Sequence, residues 1–323
     1  MLRRLLFLSA FLGCALALVP AAHAQDYPTK PITLIVPFAA GGPTDAIARI
    51  VAERMRTSLG QPIVIENVGG ANGTIAEGRV ARAQPDGYTI GTGNIATNVF
   101  NAAVYPLQYD LVADFEPIGL MVTAPALIVG TKSLPADDLA GLIRWLKANP
   151  DAGSAGVFAV WARLLGLTFQ EQTGTKFQFV AYRGAGPAMQ DMVAGHIQIM
   201  FDQAGNSLPQ LRAGTIKAFA VAATKRLEQA PSVPTTDEAG FAGLHMSIWH
   251  GLWAPKGTPA SIVTALNKAM RAALADPGAQ KQLAELGQEI SPVDDQTPTA
   301  LLALQKSEAD KWWPIIRKAN ITP

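Results

Sequence analysis

The sequence predicts an α/β protein of two lobes, each a mixed, mainly parallel sheet flanked by helices and joined to the other lobe by two crossing strands. Strand-like and helix-like segments alternate along most of the 323 residues, which is typical of βαβ units. They form two series, in residues 32–92 and 126–222. The length also suits two domains, because a single hydrophobic core stops growing at roughly 250–300 residues.

Residues 1–24 have the features of a cleavable export signal and are excluded from the fold. Arg3 and Arg4 form a basic start, residues 5–19 are apolar, and Ala22-His23-Ala24 is a cleavage site of the A-x-A type. The apolar stretch is shorter than the roughly 20 residues of a membrane span. We therefore expect a soluble mature protein outside the cytoplasm, beginning near Gln25.

Cys14 is the single cysteine and falls inside the predicted signal. A lipoprotein signal at Phe11-Leu12-Gly13-Cys14 is an alternative, although Cys14 would then divide the apolar stretch. Removal of the signal leaves the mature chain without a thiol, which excludes disulfides, cysteine metal sites and cysteine nucleophiles. Without Arg3 and Arg4, 24 basic residues face 25 acidic ones, a net charge of −1. This balance gives no basic surplus for nucleic acid or an anionic membrane.

The first series predicts three strands and two helices in the order β-α-β-α-β, and the second series continues the alternation with four strands and three helices. The strands fall at residues 32–38, 63–67, 89–92, 126–130, 177–180, 197–201 and 216–222. The helices fall at residues 44–59, 73–83, 136–148, 162–173 and 185–194.

Two extended apolar runs, residues 115–127 and 244–254, are expected to cross between the lobes. Each is followed by a proline and then a helix, the later one at residues 260–275. The second half is then an inserted domain, and the C-terminal helices return to the first lobe. Lobe 1 is predicted to comprise residues 25–125 and 250–323, and lobe 2 residues 126–249. Two crossings of the chain between the lobes imply a clamshell that opens and closes at two hinges.

The stretch PFAAGGPTDAIARI, residues 37–50, joins the first strand to the first helix. A glycine-rich turn here exposes backbone N–H groups that have no partner within the helix and lie at the positive end of its dipole. Gly41 and Gly42 allow a ligand to approach the backbone closely, and Thr44 offers a hydroxyl. The pattern indicates an anion site. In the alternative, Asp45 only stabilises the first helical turn and the glycines form a tight turn.

The glycines do not indicate a nucleotide cofactor. No Lys-Ser or Lys-Thr pair follows Gly41 and Gly42, and residues 69–73 do not match GxGxxG followed by an acid in a strand. We expect no cofactor. We also expect no metal site, because His245 and His250 lie at odd spacing in an extended run and should point to opposite faces.

In the second half the comparable junction is residues 153–157, which lead towards a helix. Ser154 and the small residues beside it would expose N–H groups that face the first set across a cleft. Two opposed helix N-termini can bind two carboxylates. The alternative is a plain loop between a strand and a helix.

Seven segments stand in a fixed order from Tyr27 to the end of the chain: YPTKPITLIVPFAAGGPTDAIAR, LGQPIVIENVGGANGTIAEGRVARAQPDGYTI, YDLVADFEPIGLM, AYRGAGPAMQDMVAGHIQIMFD, LPQLRAGTIKAFAVAATKR, PTTDEAGFAGLHMSIWHGLWAPKGTP and KWWPIIRKANI. They resemble the Bug family, or TctC-like family, of solute receptors of tripartite tricarboxylate transporters. The resemblance implies a type II periplasmic binding protein, or Venus flytrap, which captures small organic acids and delivers them to a membrane permease.

The resemblance also implies which residues bind the ligand. The family holds a carboxylate with main-chain and hydroxyl groups of two opposed loops, partly through ordered water. On this chain the implied residues are Phe38, Ala39, Gly42, Thr44, Asp45, Asn94 and Thr97 in the first lobe and Ser154, Gly156, Val157, Phe158, Ala159, Tyr182, Gly184 and Asp202 in the second.

One segment departs from the family pattern, in which a glycine, a Ser/Thr pair and a histidine lead into the second-lobe helix. This chain has Val157-Phe158-Ala159-Val160-Trp161-Ala162-Arg163, a loop one residue longer. If Phe158 or Trp161 faces the cleft, the ligand should have an apolar or aromatic body; otherwise both rings pack in the core. Arg163 is either a bidentate partner for a carboxylate or an exposed helical residue.

Three functions follow from these features. A monomeric transport receptor closes two lobes on one small carboxylate: a dicarboxylate, a tricarboxylate, an acidic amino acid or an aromatic carboxylate. A sensor that signals to a membrane protein would use the same receptor and stays an alternative. An exported hydrolase is least favoured, because the sequence has no G-x-S-x-G motif and no serine with a triad-like histidine. We therefore expect no enzyme.

Overall fold

The computed structural model describes residues 27–321, and the export signal predicted at residues 1–24 lies outside them. The strands are β1 (Ile32–Val36), β2 (Ile63–Asn67), β3 (Thr89–Asn94), β4 (Phe115–Thr131), β5 (Ser154–Val157), β6 (Gln178–Ala181), β7 (Ile199–Gln203), β8 (Ile216–Ala222), β9 (Ser247–Pro255) and β10 (Glu289–Ile290). The helices are α1 (Pro43–Leu59), α2 (Thr74–Ala81), α3 (Asn101–Val104), α4 (Leu139–Ala148), α5 (Val160–Thr173), α6 (Ala185–Val193), α7 (Ala204–Arg212), α8 (Ala260–Ala275), α9 (Pro277–Glu285) and α10 (Pro298–Lys318).

The first lobe is built on a sheet with the strand order β2-β1-β3-β9-β4-β10. Strands β1, β2 and β3 are parallel, whereas β9 runs antiparallel to both β3 and β4. Helices α1 and α8 cover one face of this sheet, where Ile47, Met55, Leu266 and Met270 are fully buried. This apolar layer fixes the start of α1 relative to the sheet.

The second lobe is built on a sheet with the strand order β8-β4-β7-β5-β6. Strand β5 is parallel to β6 and β7, and β4 is antiparallel to β7 and β8. Phe169 of α5 packs on Phe201 of β7 with 5.7 Å between the ring centroids. Helix α5 is therefore anchored on the sheet by its C-terminal half.

Strand β4 belongs to both sheets. Residues 115–125 pair with β9 in the first lobe, and residues 126–131 pair with β7 and β8 in the second. The chain returns beside it, where Met246 donates its N–H to the carbonyl of Ala222 and accepts from Ala126. The two lobes are thus joined by two adjacent extended segments, as predicted.

The parallel strands of both lobes direct their carboxyl ends towards the junction of the lobes. Asn94, the last residue of β3, pairs with His250 on β9, close to the crossing. Gln203, the last residue of β7, pairs with Ala126 at the crossing on β4. The loops that follow β1, β3, β5, β6 and β7 consequently face the gap between the lobes, the usual position of ligand sites in α/β sheets.

The expected glycine-rich loop at residues 153–157 is a β-strand instead, which corrects the sequence interpretation. Gly156 lies inside the lobe, where a Cβ atom would come within 2.5 Å of Ile197 Cδ1. The small residues therefore serve close packing of β5 and not an exposed turn. The true junction is Phe158 and Ala159, and α5 begins at Val160, two residues before the predicted start.

No helix among residues 27–321 is both long enough and apolar enough to cross a bilayer. The longest one, α10, carries charged residues along its length. It returns to the first lobe after the second crossing, where Trp313 donates its indole N–H to the carbonyl of Val99 and Gln305 donates to the carbonyl of Asn98. The C-terminal part of the chain thus completes the first lobe.

Candidate functional site between the lobes

The loop between β1 and α1 ends in a helix N-terminus without a side-chain cap. Gly42 is the N-cap residue, and no side chain caps the free N–H groups. Gly41 has φ of +86°, a left-handed conformation that favours glycine. Pro43 follows at the first helical position, where its missing N–H is not needed. The loop therefore presents backbone donors and the positive end of the helix dipole.

Asp45 holds this loop in shape. Its buried carboxylate accepts hydrogen bonds from Gly41 N, Arg49 Nε and Asn67 Nδ2, each 3.0 Å long. Burial by itself would raise the pKa of Asp45, but the hydrogen bonds from Arg49, Gly41 and Asn67 outweigh it and hold the pKa below its usual value. The carboxylate is thus occupied within its own lobe, in line with the alternative that it stabilises the first turn.

Thr44 follows the glycines and lines the cleft. Its hydroxyl oxygen lies 3.1 Å from Nε2 of His250 on β9, and both residues are buried. Burial lowers the pKa of His250 to about 3, so that its imidazole is neutral. No group of three or more His, Cys, Asp or Glu side chains in the described residues is arranged to hold a metal ion.

Asn94 and Thr97 form a buried turn after β3. The Asn94 side-chain oxygen accepts from Ala96 N at 2.9 Å, and Thr97 Oγ1 accepts from Asn94 N at 3.0 Å. Thr97 Oγ1 also donates to Asn98 Oδ1 at 2.6 Å. Within residues 27–321, the buried Asn94 Nδ2 has no acceptor. Asn94 therefore has a hydrogen-bond donor to spare, as does Asn98, whose Nδ2 is also buried without an acceptor in the described residues.

Phe158 and Ala159 form the second-lobe junction that leads into α5. Ala159 is the N-cap residue of α5 and offers no side-chain cap. Phe158 lines the cleft, whereas Trp161 is fully buried and packs edge-on against Phe158, with ring centroids 5.5 Å apart. The cleft therefore has one aromatic wall from this segment, and Trp161 supports it from the core.

Ser154 lies at the opposite end of β5 from the cleft. Its hydroxyl donates to Gln198 Oε1 at 2.8 Å. Val157, at the cleft end, lies three residue steps further along the strand, about 10 Å at the usual rise. The expectation that Ser154 and Gly156 offer N–H groups at the cleft is thus corrected, because they belong to the body of a strand whose far end reaches the cleft.

The loop between β6 and α6 brings a second glycine-lined turn to the cleft. Gly184 is the N-cap residue of α6, and no side chain caps the helix. Tyr182 directs its hydroxyl away to Asp191 Oδ2, which accepts at 2.6 Å. Burial and then this hydrogen bond raise the pKa of Tyr182 to about 12. The backbone of this loop, and not the tyrosine hydroxyl, is directed at the first lobe.

Asp202 and Gln203 end β7. Asp202 is fully buried and accepts from Asn206 Nδ2 at 2.9 Å and Ser207 Oγ at 2.6 Å, two side chains of α7 in the same lobe. Burial raises the pKa of Asp202 to about 7 despite these bonds. Gln203 lines the cleft, and its Oε1 has no partner in the described structure. The sequence prediction missed Gln203; its position at the carboxyl end of a strand was the available signal.

The glycine-lined turns of the two lobes face each other in direct contact. A Cβ atom at Gly184 would lie 3.3 Å from Ala39 N, and one at Gly42 would lie 3.8 Å from Gly186 N. A Cβ atom at Gly69, after β2, would lie 3.5 Å from the carbonyl oxygen of Arg183. Glycine at these positions permits the approach of one backbone to the other.

A small cavity of about 10 Å³ remains at the centre of this contact. That volume holds roughly one water molecule. An organic acid needs more space, so its entry requires the lobes to move apart. The cavity is lined by Phe38, Gly42, Pro43, Thr44, Phe158, Ala185 and Gln203.

The structure thus gathers part of the predicted set at the cleft. The residues at the contact or cavity are Phe38, Ala39, Gly42, Thr44, Phe158 and Gly184. Val157 and Ala159 line a neighbouring cavity between the lobes. The side chains of Asp45, Thr97, Ser154, Tyr182 and Asp202 are bonded within their own lobes.

Three solved structures share this architecture. The periplasmic binding protein BugD is 39% identical, covers 92% of this chain and 99% of its own, and superposes with a TM-score of 0.88. MatC from Rhodopseudomonas palustris, with bound malate, is 36% identical over 90% of this chain and 100% of its own, with a TM-score of 0.86. Rpa4515 of R. palustris, with adipate, is 34% identical over 92% and 99%, with a TM-score of 0.87.

A family profile matches most of the chain as well. The profile described as "Tripartite tricarboxylate transporter family receptor" covers residues 47–321. The match begins within α1, at Ile47, and includes both crossing segments and every second-lobe loop at the cleft. This chain therefore belongs to the tripartite tricarboxylate transporter receptor family, whose members are periplasmic solute-binding receptors of the Bug type and not enzymes.

Proposed function

We propose that this protein captures a small dicarboxylate between its lobes in the periplasm and delivers it to a tripartite tricarboxylate-type permease. One observation carries the proposal: two glycine-lined turns, one from each lobe, meet at uncapped helix N-termini. Free N–H groups at such ends attract anions. A carboxylate bound there accepts from both lobes at once and so favours their contact.

The side chains at the contact also suit an organic acid. Thr44 offers a hydroxyl, and Gln203 offers a buried amide. Phe38 and Phe158 supply apolar walls for the body of the ligand. Malate and adipate, the acids bound by MatC and Rpa4515, are both dicarboxylates and differ in length and hydroxylation. The difference between these two acids supports a carboxylate site shared by the family, next to a space for the rest of the ligand that varies from one member to another.

Ligand capture is coupled to lobe movement in this proposal. The central cavity of about 10 Å³ does not admit an acid while the lobes are in contact. The two segments that join the lobes, at residues 123–126 and at Met246, are the places where the chain can bend, and we propose that the lobes divide there. Closure is favoured only if the ligand binds the closed arrangement more tightly than the open one.

The export signal belongs to the same proposal. Cleavage after Ala24 delivers the mature chain to the periplasm, where the receptor functions as a monomer that binds one ligand.

Binding of acids by the mature protein, residues 25–323, tests the function. A thermal-shift panel of di- and tricarboxylates, acidic amino acids and aromatic carboxylates is followed by calorimetry. We expect one-to-one binding of a dicarboxylate, with about 2.7 kcal/mol of stabilisation at a ligand concentration 100 times Kd. Failure of every acid in the panel to bind, or conversion of a bound acid to product, would overturn the proposal.

A further inference from the structure

We propose that Arg163 is a second anchor that binds the distal carboxylate of the ligand, so that the receptor selects acids with two carboxylates joined by an apolar chain. This inference rests on the proposed function, because the other carboxylate occupies the contact between the glycine-lined turns. Arg163 lines a separate cavity between the lobes.

The cavity around Arg163 has a volume of about 80 Å³, several times what one water molecule needs. Both lobes line it. The first lobe contributes Asn72, Val104 and Ile321, and the second contributes Val157, Ala159, Val160, Arg163 and Ala181. None of the described residues lines both cavities, but Val157, Ala159 and Val160 of this one flank Phe158 of the central cavity in the chain. In this proposal the ligand spans the junction at Phe158, from the turns to Arg163.

The guanidinium of Arg163 has no carboxylate partner in the described part of the chain. No acidic side chain of residues 27–321 lies within 4.0 Å of it, and its Nε is buried without an acceptor. One face of the guanidinium stacks on Phe179, with Cζ 5.4 Å from the ring centroid. Stacking fixes the plane of the guanidinium and leaves its N–H edge to donate to a planar carboxylate in bidentate geometry.

The start of α5 adds to the positive potential of this cavity. Arg163 lies one turn after the N-cap residue Ala159, and helical side chains point back towards the N-terminus. Arg163 lines the same cavity as Ala159 and Val160 at the start of the helix, where Ala159 supplies no side-chain cap. The N–H groups of Ala162 and Arg163 are bonded to the Ala159 carbonyl, whereas those of Val160 and Trp161 precede the helical bonds. The positive charge of Arg163 and the free N–H groups at the start of α5 therefore lie in the same region.

The remaining walls define the middle of the ligand. Val104, Val157, Val160 and Ile321 are apolar, and Asn72 is the other polar lining residue. The Asn72 amide already donates to the Tyr105 hydroxyl. Hydroxyl groups on the carbon chain of the ligand, between its carboxylates, would find few hydrogen-bond partners here and would weaken binding. The preferred ligand is thus an unsubstituted aliphatic diacid.

Calorimetry with unbranched diacids from succinate to pimelate, and with the monomethyl ester of each, tests this anchor. We expect the wild type to bind its best diacid about 10- to 100-fold more tightly than the monoester, the usual range for a charged hydrogen-bonded pair. Arg163→Gln should lose that preference and bind diacid and monoester with the wild-type affinity for the monoester. Arg163→Lys should recover part of it, because it restores the charge without the planar fork.

Arg144→Gln on the exposed face of α4 is the matched control and should keep the wild-type preference. If Arg163→Gln retains the preference for diacid over monoester, Arg163 is not the anchor, and the proposed function stands. If Arg163→Gln weakens diacid and monoester by the same factor, the residue acts on the loop and the inference is overturned. If no acid of the series binds the wild type, the proposed function fails, and the inference fails with it.

Discussion

The hydroxyl oxygen of Thr44 lies 3.1 Å from Nε2 of His250, which links the first cleft loop to a strand that joins the lobes. His250 is fully buried, and its low pKa keeps the imidazole neutral. Within residues 27–321, its Nδ1 has no partner. When the imidazole proton is on Nε2, His250 donates to Thr44 and leaves the Thr44 hydroxyl proton for a ligand. His250 thereby holds the Thr44 hydroxyl in position to donate a hydrogen bond to a ligand in the cleft.

Thr44→Val is expected to weaken diacid binding roughly 5- to 20-fold, because it removes the hydroxyl at nearly constant volume. It also leaves His250 Nε2 unpaired, which should lower the free energy of unfolding by about 1–2 kcal/mol. Calorimetry and urea unfolding measure the two effects. Thr264→Val, on an exposed face of α8, is the control. Unchanged affinity in Thr44→Val would remove the hydroxyl from the site.

Asp45→Asn is expected to lower the free energy of unfolding, because the buried carboxylate of Asp45 accepts three hydrogen bonds. Gly41, Arg49 and Asn67 all donate to its carboxylate, and the amide keeps one acceptor oxygen and adds an unwanted donor. We expect a loss of about 1–3 kcal/mol in urea unfolding, with weaker diacid binding because the loop is less ordered. Binding that falls without any loss of stability would instead mean that Asp45 contacts the ligand.

We expect Glu77 to make the stability of the receptor depend on pH. It is fully buried beside Thr97 and Asn98, and burial raises its pKa from 4.5 to about 8, although both neighbours oppose this by hydrogen bonding. The folded state therefore holds a proton that the unfolded state releases above pH 4.5. The contribution to stability is complete below about pH 4.5 and is lost as the pH rises towards 8.

Glu77→Gln should remove this dependence, because glutamine stays neutral at every pH. The free energy of unfolding of the variant, minus that of the wild type, should increase between pH 4.5 and 8 by up to about 1.4 kcal/mol per pH unit. Urea unfolding at half-unit steps measures the slope. Glu171→Gln removes a carboxylate from an exposed position on α5 for comparison. Equal slopes for the wild type and Glu77→Gln would contradict a buried protonated Glu77.

The sequence predicted the architecture because the strand-like and helix-like segments that alternate along it form strands and helices in both lobes. The helix at the first cleft loop begins at Pro43 where residue 44 was expected, and the two crossing segments were found at β4 and before β9. These features depend on local patterns, namely the period of apolar residues and the glycines and prolines at the ends of elements. Such patterns predict where elements begin and end along the chain.

What lies opposite a residue cannot be predicted from local patterns. Gly156 looks like a loop glycine in the sequence, yet it is a packing glycine against Ile197. Asp45 stands where a ligand contact was expected, yet three donors of its own lobe occupy its carboxylate. Gln203 was missed because only the fold brings the end of β7 to the cleft. Distant partners decided each of these cases.

Gly184 and Ala39 offer the sharpest probe of contact between the lobes. The three atoms nearest to a Cβ at Gly184 all belong to Ala39 of the first lobe, at 3.3–3.8 Å. The backbone at Gly184 is extended, with φ of 172°, so a side chain there causes no backbone strain. Gly184→Val should therefore fold normally but keep the lobes apart.

We expect Gly184→Val to weaken diacid binding by at least about tenfold, since each 1.4 kcal/mol lost from the closed state is a factor of ten. Small-angle scattering at saturating diacid should give it a larger radius of gyration than the wild type. Gly184→Ala should have a smaller effect, which Ala39→Gly in the same chain should partly reverse, because it removes the Cβ 3.4 Å away. Wild-type affinity and radius in Gly184→Val would mean that the lobes do not meet at these turns when the acid is bound.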